Sequence, residues 1–141
     1  MSADSLKAAR AAPFIEQYPE RVFEVGICEQ NAAAFSAGLA STGLKPFFCT
    51  YAGFITMRAC EQVRSFVAYP HLNVKFVGLN GGIYGGEREG VTHMVFEEFG
   101  ILRSVAGMEI VVPADAGQVK FRYYAGNGTF SWSKWYEIIA E

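Results

Sequence analysis

Three short stretches carry residues that could do chemistry. The first is FEVGICEQNAAAF, residues 23–35. Apolar Val22, Phe23 and Val25 lead into a turn at Gly26, and Glu29 then stands in the first turn of an expected helix. An acid at that position gains about 0.3–1 kcal/mol from the helix macrodipole, which is an ordinary structural use. However, Ala32, Ala33, Ala34, Ser36, Ala37 and Gly38 follow, and small residues all round predict close packing on every side. A carboxylate at the mouth of a buried helix is desolvated, and such groups are often functional. On spacing alone both uses of Glu29 stand.

The second stretch is TYAGF, residues 50–54. Tyr51 and Phe54 follow an apolar run, and fit either core packing or a flat slot for a planar ring. The third is GGIYGGEREGVTH, residues 81–93. Its glycines let backbone approach a ligand and offer N–H donors. It has no Gly-Lys-Ser/Thr and no GxGxxG, so neither a P-loop nor a dinucleotide fingerprint is supported. His93 follows Thr92, an expected N-cap, and serves either the helix start or a site.

The elements that must position these groups alternate. Residues 5–18 read as a helix interrupted by Pro13, or as two short turns. Residues 21–25 read as a short strand, 28–42 as a helix ended by Gly43, and 46–51 as a buried strand. Residues 53–68 read as a helix, 73–79 as a strand, 92–106 as a helix, and 109–112 as a last strand closed by Pro113. Alternation with apolar strands predicts a three-layer α/β fold around a mainly parallel sheet. Ligands of such sheets gather at the carboxyl ends of the strands. That rule selects residues 26–29, 50–54 and 80–93, the same three stretches. The domain is expected to span residues 1–118. Residues 119–141 form an atypical tail, in which VKFRYYAGNGTFSWSKW reads as an aromatic β-hairpin turning at Gly126–Asn127–Gly128. The hairpin covers the same domain or offers a partner surface.

Composition narrows the function classes. The chain has 141 residues, 51% of them apolar, with a net charge of −2. That suits one soluble domain with a real core and argues against disorder. Scattered Lys and Arg give no nucleic-acid footprint. Cys28, Cys49 and Cys60 are odd in number and unevenly spaced, which predicts free thiols in a reducing, cytoplasmic compartment. No metal-ligand spacing links them to His71 or His93. No apolar run is long enough to span a bilayer, and the start has no secretion-signal pattern.

Taken together, PERVFEVGICEQNAAAFSAGLASTGLKPFFCTYAGFITMRACEQVR (residues 19–64) and NVKFVGLNGGIYGGEREGVTHMVFEEFGILRSVAGMEIVVPAD (residues 73–115) resemble the pyrimidine-binding (Pyr) domain of the transketolase family. SAD at residues 2–4 resembles the start of a further strand-end loop, so the resemblance covers roughly residues 2–118. Deoxyxylulose-phosphate synthases and the beta subunits of 2-oxo-acid dehydrogenases are relatives. The resemblance implies thiamine diphosphate, enclosed between this domain and the diphosphate-binding domain of another chain that holds a divalent metal. Glu29 matches the glutamate that hydrogen-bonds the aminopyrimidine N1′, and Tyr51 and Phe54 match ring-stacking positions. His93 matches a histidine near the substrate and the reacting carbon, and Asp4 matches a loop acid near the cofactor. Asn80 stands where transketolases commonly carry a histidine. Arg88, with Glu89, replaces a simpler acid–Gly step, and Asn80 and Arg88 are both expected on the substrate side. Met94 replaces the usual Gln. The family's first strand and helix, its diphosphate-binding domain and its C-terminal domain are not in the sequence. The expected reading is therefore a cut-down or recombined Pyr domain. It is expected to form a homo-oligomer, inactive alone and active on a sugar phosphate only with its partner chain, with no role on nucleic acid or membranes. The alternative is a catalytically inactive α/β module used for oligomerisation or ligand binding.

Overall fold

A computed structural model of the chain describes residues 1–83, 89–115 and 117–118. Its helices are α1 (Ala12–Gln17), α2 (Glu29–Ser41), α3 and α4 (Glu98–Arg103), and its strands are β1 (Phe47–Tyr51) and β2 (Lys75–Leu79). Helix α3 runs through three successive stretches, Phe54–Arg58, Cys60–Gln62 and Val63–Ala68. Short 3₁₀ turns lie at Pro19–Arg21 and Gly90–Thr92.

β1 and β2 pair in parallel, from Phe47 opposite Lys75 to Tyr51 opposite Leu79. Parallel neighbours need a crossover, and α3 supplies it. On the other side of β1, Ser2 forms parallel bridges with both Cys49 and Glu24. The Ser2 N–H donates to the Phe23 carbonyl, the Val25 N–H to the Ser2 carbonyl, and the Cys49 N–H to the Met1 carbonyl. Because every pairing across this sheet is parallel, the segments ending near Gly26, Asp4, Tyr51 and Asn80 all finish on one side.

Helix α2 buries Glu29, Ala32, Ala33, Ser36, Ala37 and Ala40, the spacing of one helical face. Ala32 and Ala33 meet Ala3, Phe48, Ile55, Ala59 and Val63 in the core. Side chains this small let α2 lie close to β1 and α3. The opposite face does not follow the sequence expectation of packing on every side: Gln30, Asn31, Phe35 and Gly38 are exposed. A uniformly small helix has no pattern to show which face is inward; the position of the sheet decides it.

Other boundaries also move. Residues 5–18 are two short pieces, as the alternative had it, a turn over residues 6–10 and then α1, with Pro13 at the start of α1 rather than inside a helix. Proline lacks the N–H that a first turn leaves unused, so it begins α1 instead of breaking it. The expected strand at 21–25 is reduced to the single bridge at Glu24. The second strand begins at Lys75 rather than at residue 73. The expected helix over 92–106 is only α4, since Val95 is drawn into an antiparallel bridge with Gly82. Two backbone hydrogen bonds, of 2.7 and 3.2 Å, make that bridge. Residues 109–112 form no strand. The expected hairpin lies outside the described residues.

All three cysteines are free. Burial pushes the Cys49 thiol up to about 11 from its ordinary 9.0. The folded chain therefore holds this proton more tightly than the unfolded chain. Stability is fully present below pH 9 and falls as pH rises towards 11, by at most about 1.4 kcal/mol per pH unit. The urea midpoint should drop over that window, and Cys49→Ala should flatten the slope. Ala33→Leu should overpack the α2–β1 contact and lower unfolding free energy by about 1–3 kcal/mol in the same titration.

Candidate functional site

Glu29 opens α2 and is only 1% exposed. One of its oxygens, Oε1, accepts a hydrogen bond from Arg58 Nη1 at 2.7 Å. The other, Oε2, is buried without a hydrogen-bond partner. A buried carboxylate with one free acceptor is costly unless something else satisfies it. The α2 N-terminus offsets part of that cost through its dipole.

Arg58 comes from the first stretch of α3, and its side chain is 44% exposed. Its guanidinium carbon lies 4.1 Å from the centroid of the Phe54 ring, within cation–π range. The stretch is wound as a π-helix, with the Ala59 N–H reaching back to the Phe54 carbonyl. Such widened turns are frequent at functional sites. Here Phe54 and Arg58 lie on the same turn, with the cation over the ring.

Phe54 in turn belongs to a three-ring cluster. Its centroid is 5.6 Å from Tyr51 and 5.0 Å from His93, and Tyr51 and His93 are 4.8 Å apart. The imidazole meets both neighbours edge-on. The Gly82–Val95 bridge brings His93 over β1 by closing the loop at its base. The Thr92 hydroxyl lies 3.1 Å from the Glu89 carbonyl, to which it donates, and 2.8 Å from His93 Nδ1, a contact that fixes the ring against the Gly90–Thr92 turn.

The structure thus unites Glu29, Tyr51, Phe54 and His93 through Arg58. Thr92 acts as a support for His93 rather than as a helix cap. Asp4 and Asn80 follow the two segments that flank β1, both with left-handed backbone, at φ 52° and 51°. Non-glycine residues held there carry strain and often mark functional loops. The Asp4 N–H donates to Glu24 Oε1 at 2.6 Å, and the Gly26 N–H donates to the same oxygen at 3.2 Å. No hydrogen bond or ring contact among the described residues joins Asp4 or Asn80 to the Glu29 group. Arg88 lies outside the described residues. Among the described residues no cluster of three His, Cys, Asp or Glu could hold a metal.

Sequence reasoning missed Arg58, Glu24 and Glu98. Glu98 is buried, with Oε2 unpartnered, and its Oε1 would be 3.2 Å from a Cβ placed on Gly81. The one signal for Arg58 was its place four residues after Phe54 on one helix, the spacing at which side chains meet. Glu24 had no comparable signal, because its partners are the backbone N–H groups of Asp4 and Gly26, and Glu98 had none, because only folding buries it.

The chain thus has the class of a parallel α/β domain, with a buried acid and a cluster of tilted and edge-on aromatic rings at its strand ends, where ligands of such sheets gather. The profile of the transketolase pyrimidine-binding domain matches residues 1–125, and the chain belongs to that family. A 6-deoxy-6-sulfo-D-fructose transketolase subunit from a Clostridium species is 39% identical over 120 residues, which are 85% of this chain and 37% of that protein. An apulose-4-phosphate transketolase subunit from Phocaeicola vulgatus is 38% identical over 120 residues, 85% of this chain and 38% of its own length. A solved structure described as a split-gene transketolase, inactive beta4 tetramer, superposes with a TM-score of 0.69 at 38% identity, over 82% of this chain and 36% of that one. The chain therefore spans a little over a third of the length of these relatives.

Removing one partner of a buried ion pair costs about 3–5 kcal/mol; with Arg58 partly exposed to solvent, about 1–3 kcal/mol is expected for Arg58→Met. The Glu29→Gln/Arg58→Met double variant should recover most of that loss, since no unpaired charge remains. A double-mutant cycle by urea unfolding checks it; additive losses would show that the pair is uncoupled.

Proposed function

We propose that this chain supplies the pyrimidine side of a thiamine diphosphate site and takes part in ketol transfer only beside a diphosphate-binding partner chain. The observation that carries this reading is the unpartnered, buried Oε2 of Glu29 at the strand ends. A ring nitrogen of the cofactor's aminopyrimidine would satisfy it. When bound, the cofactor supplies the carbon nucleophile for the transfer, and the protein positions and tunes it. Glu29 exchanges or shares a proton at the ring nitrogen. Tyr51 and Phe54 offer flat apolar surface to the ring. His93 faces the substrate side, where an imidazole can exchange a proton with a substrate hydroxyl. Asp4 lies towards the cofactor side, and Asn80 and Arg88 towards a sugar phosphate substrate. The partner chain would hold the diphosphate and its divalent metal.

Membership in the Pyr family and the description of two relatives as transketolase subunits support this division of labour. The solved neighbour described as an inactive beta4 tetramer supports a second reading for the chain by itself, a homo-oligomer without turnover. The two readings are compatible: one describes the chain alone and the other the chain with its partner. We place the assembly in the cytoplasm, away from nucleic acid and membranes. No helix among the described residues is long and apolar enough to cross a bilayer.

Mixing the chain with a diphosphate-binding transketolase chain, thiamine diphosphate and magnesium should yield ketol transfer that neither chain shows alone. Glu29→Gln should lower kcat by about 10²–10⁴-fold, the usual contribution of a positioned acid–base group. Full activity of the Gln variant, or none from the wild-type mixture with any cognate partner, overturns the proposal.

A further inference from the structure

Arg58 meets two features of the site at once. It donates an N–H to Glu29 Oε1 at 2.7 Å and lays its guanidinium 4.1 Å over Phe54. These are the acid and the ring face that the proposed function assigns to the aminopyrimidine. A guanidinium is planar, cationic and edged with N–H donors. A protonated aminopyrimidine shares those properties: a flat face, positive charge and an edge of N–H groups. Both satisfy a buried carboxylate by a charge-assisted hydrogen bond and both stack on an aromatic ring.

We infer that the Phe54 face beside Glu29 takes planar amidinium-type cations, and that the Arg58 guanidinium is its resident occupant in the free chain, which a ring stacking there must displace while Glu29 Oε2 stays open to the ring's edge. The inference rests on the pyrimidine-side reading and adds the ligand class and the competitor. The geometry makes the exchange feasible. Glu29 is fixed in the core, whereas Arg58 is 44% exposed and reaches the Phe54 face from the solvent side of α3. The guanidinium is not one of the groups that make or pack against the Ala32–Ala33–Phe48 core. While it is in place, Glu29 keeps a counter-charge and the free chain avoids an unpaired buried anion. The consequence for binding is direct: apparent affinity is the intrinsic affinity multiplied by the fraction of chains in which Arg58 has left.

The test titrates the full chain with 4-aminopyrimidine as probe, by calorimetry, in wild type, Arg58→Met, Arg58→Lys and Glu29→Ala. Arg58→Met should melt at a lower temperature than wild type yet bind the probe roughly tenfold more tightly, because the competing occupant is gone. Arg58→Lys, whose compact ammonium cannot lie flat on the ring, should gain severalfold and stands in if the Met variant does not fold. Guanidinium chloride at low millimolar concentration should raise the melting temperature of Arg58→Met and compete with the probe. Equal or weaker probe binding in both Arg58 variants overturns the inference. If Glu29→Ala abolishes probe binding while the Arg58 variants bind like wild type, the pyrimidine-side reading survives and only the occupant role fails. If Glu29→Ala leaves probe binding unchanged, the pyrimidine-side reading itself fails, and the inference with it.

Discussion

The close approach of α2 to the sheet is the constraint on which the site depends. Alanines at 32, 33, 37 and 40 and a serine at 36 form the inward face. They set the helix against Phe48 of β1 and against Ile55, Ala59 and Val63 of α3. At that distance the first residue of the helix is carried inside with it. Glu29 is buried because its helix is built of small residues, and a larger side chain on the same face would move the acid outward. Its charge then has to be met from α3, the neighbouring helix on the same side, and Arg58 meets it.

A second constraint comes from the parallel sheet. The segments through Ser2 and Glu24 and the strands β1 and β2 all run the same way, so their ends converge. Convergence places unrelated loops side by side without any of them being long. The Glu24 carboxylate ties two of them, through the N–H groups of Asp4 and Gly26. A buried hydrogen bond of 2.9 Å between the hydroxyls of Ser5 and Thr50 ties the first of these to the end of β1. The antiparallel Gly82–Val95 bridge performs the same service for the loop that carries His93. The site is thus held by backbone and hydroxyl contacts beneath it, while Glu29 keeps a free acceptor at Oε2. That division suits a site that must accept a ligand rather than satisfy itself.

Much of the fold was legible in the chain. The α/β class, α2, β1, α3 and β2 followed from alternation of apolar runs with helical spacing. The errors fell where local signals conflict with tertiary pairing. Pro13 reads as an interruption but begins a helix. Val95 sits in a helix-like run yet pairs with Gly82, because a bridge across the glycine loop outweighs a weak local preference. The packing of α2 was misjudged because alanine on all sides cannot tell inside from outside.

The sequence by itself determined the family and the identities of Glu29, Tyr51, Phe54 and His93 as candidates, since motif order and residue type are one-dimensional properties. Tertiary structure alone decided that these four meet through Arg58. Glu29 and Arg58 are 29 positions apart, and no periodicity links a helix start to the turn of a later helix. Which oxygen of Glu29 is satisfied likewise depends on a partner that only folding brings within hydrogen-bond distance.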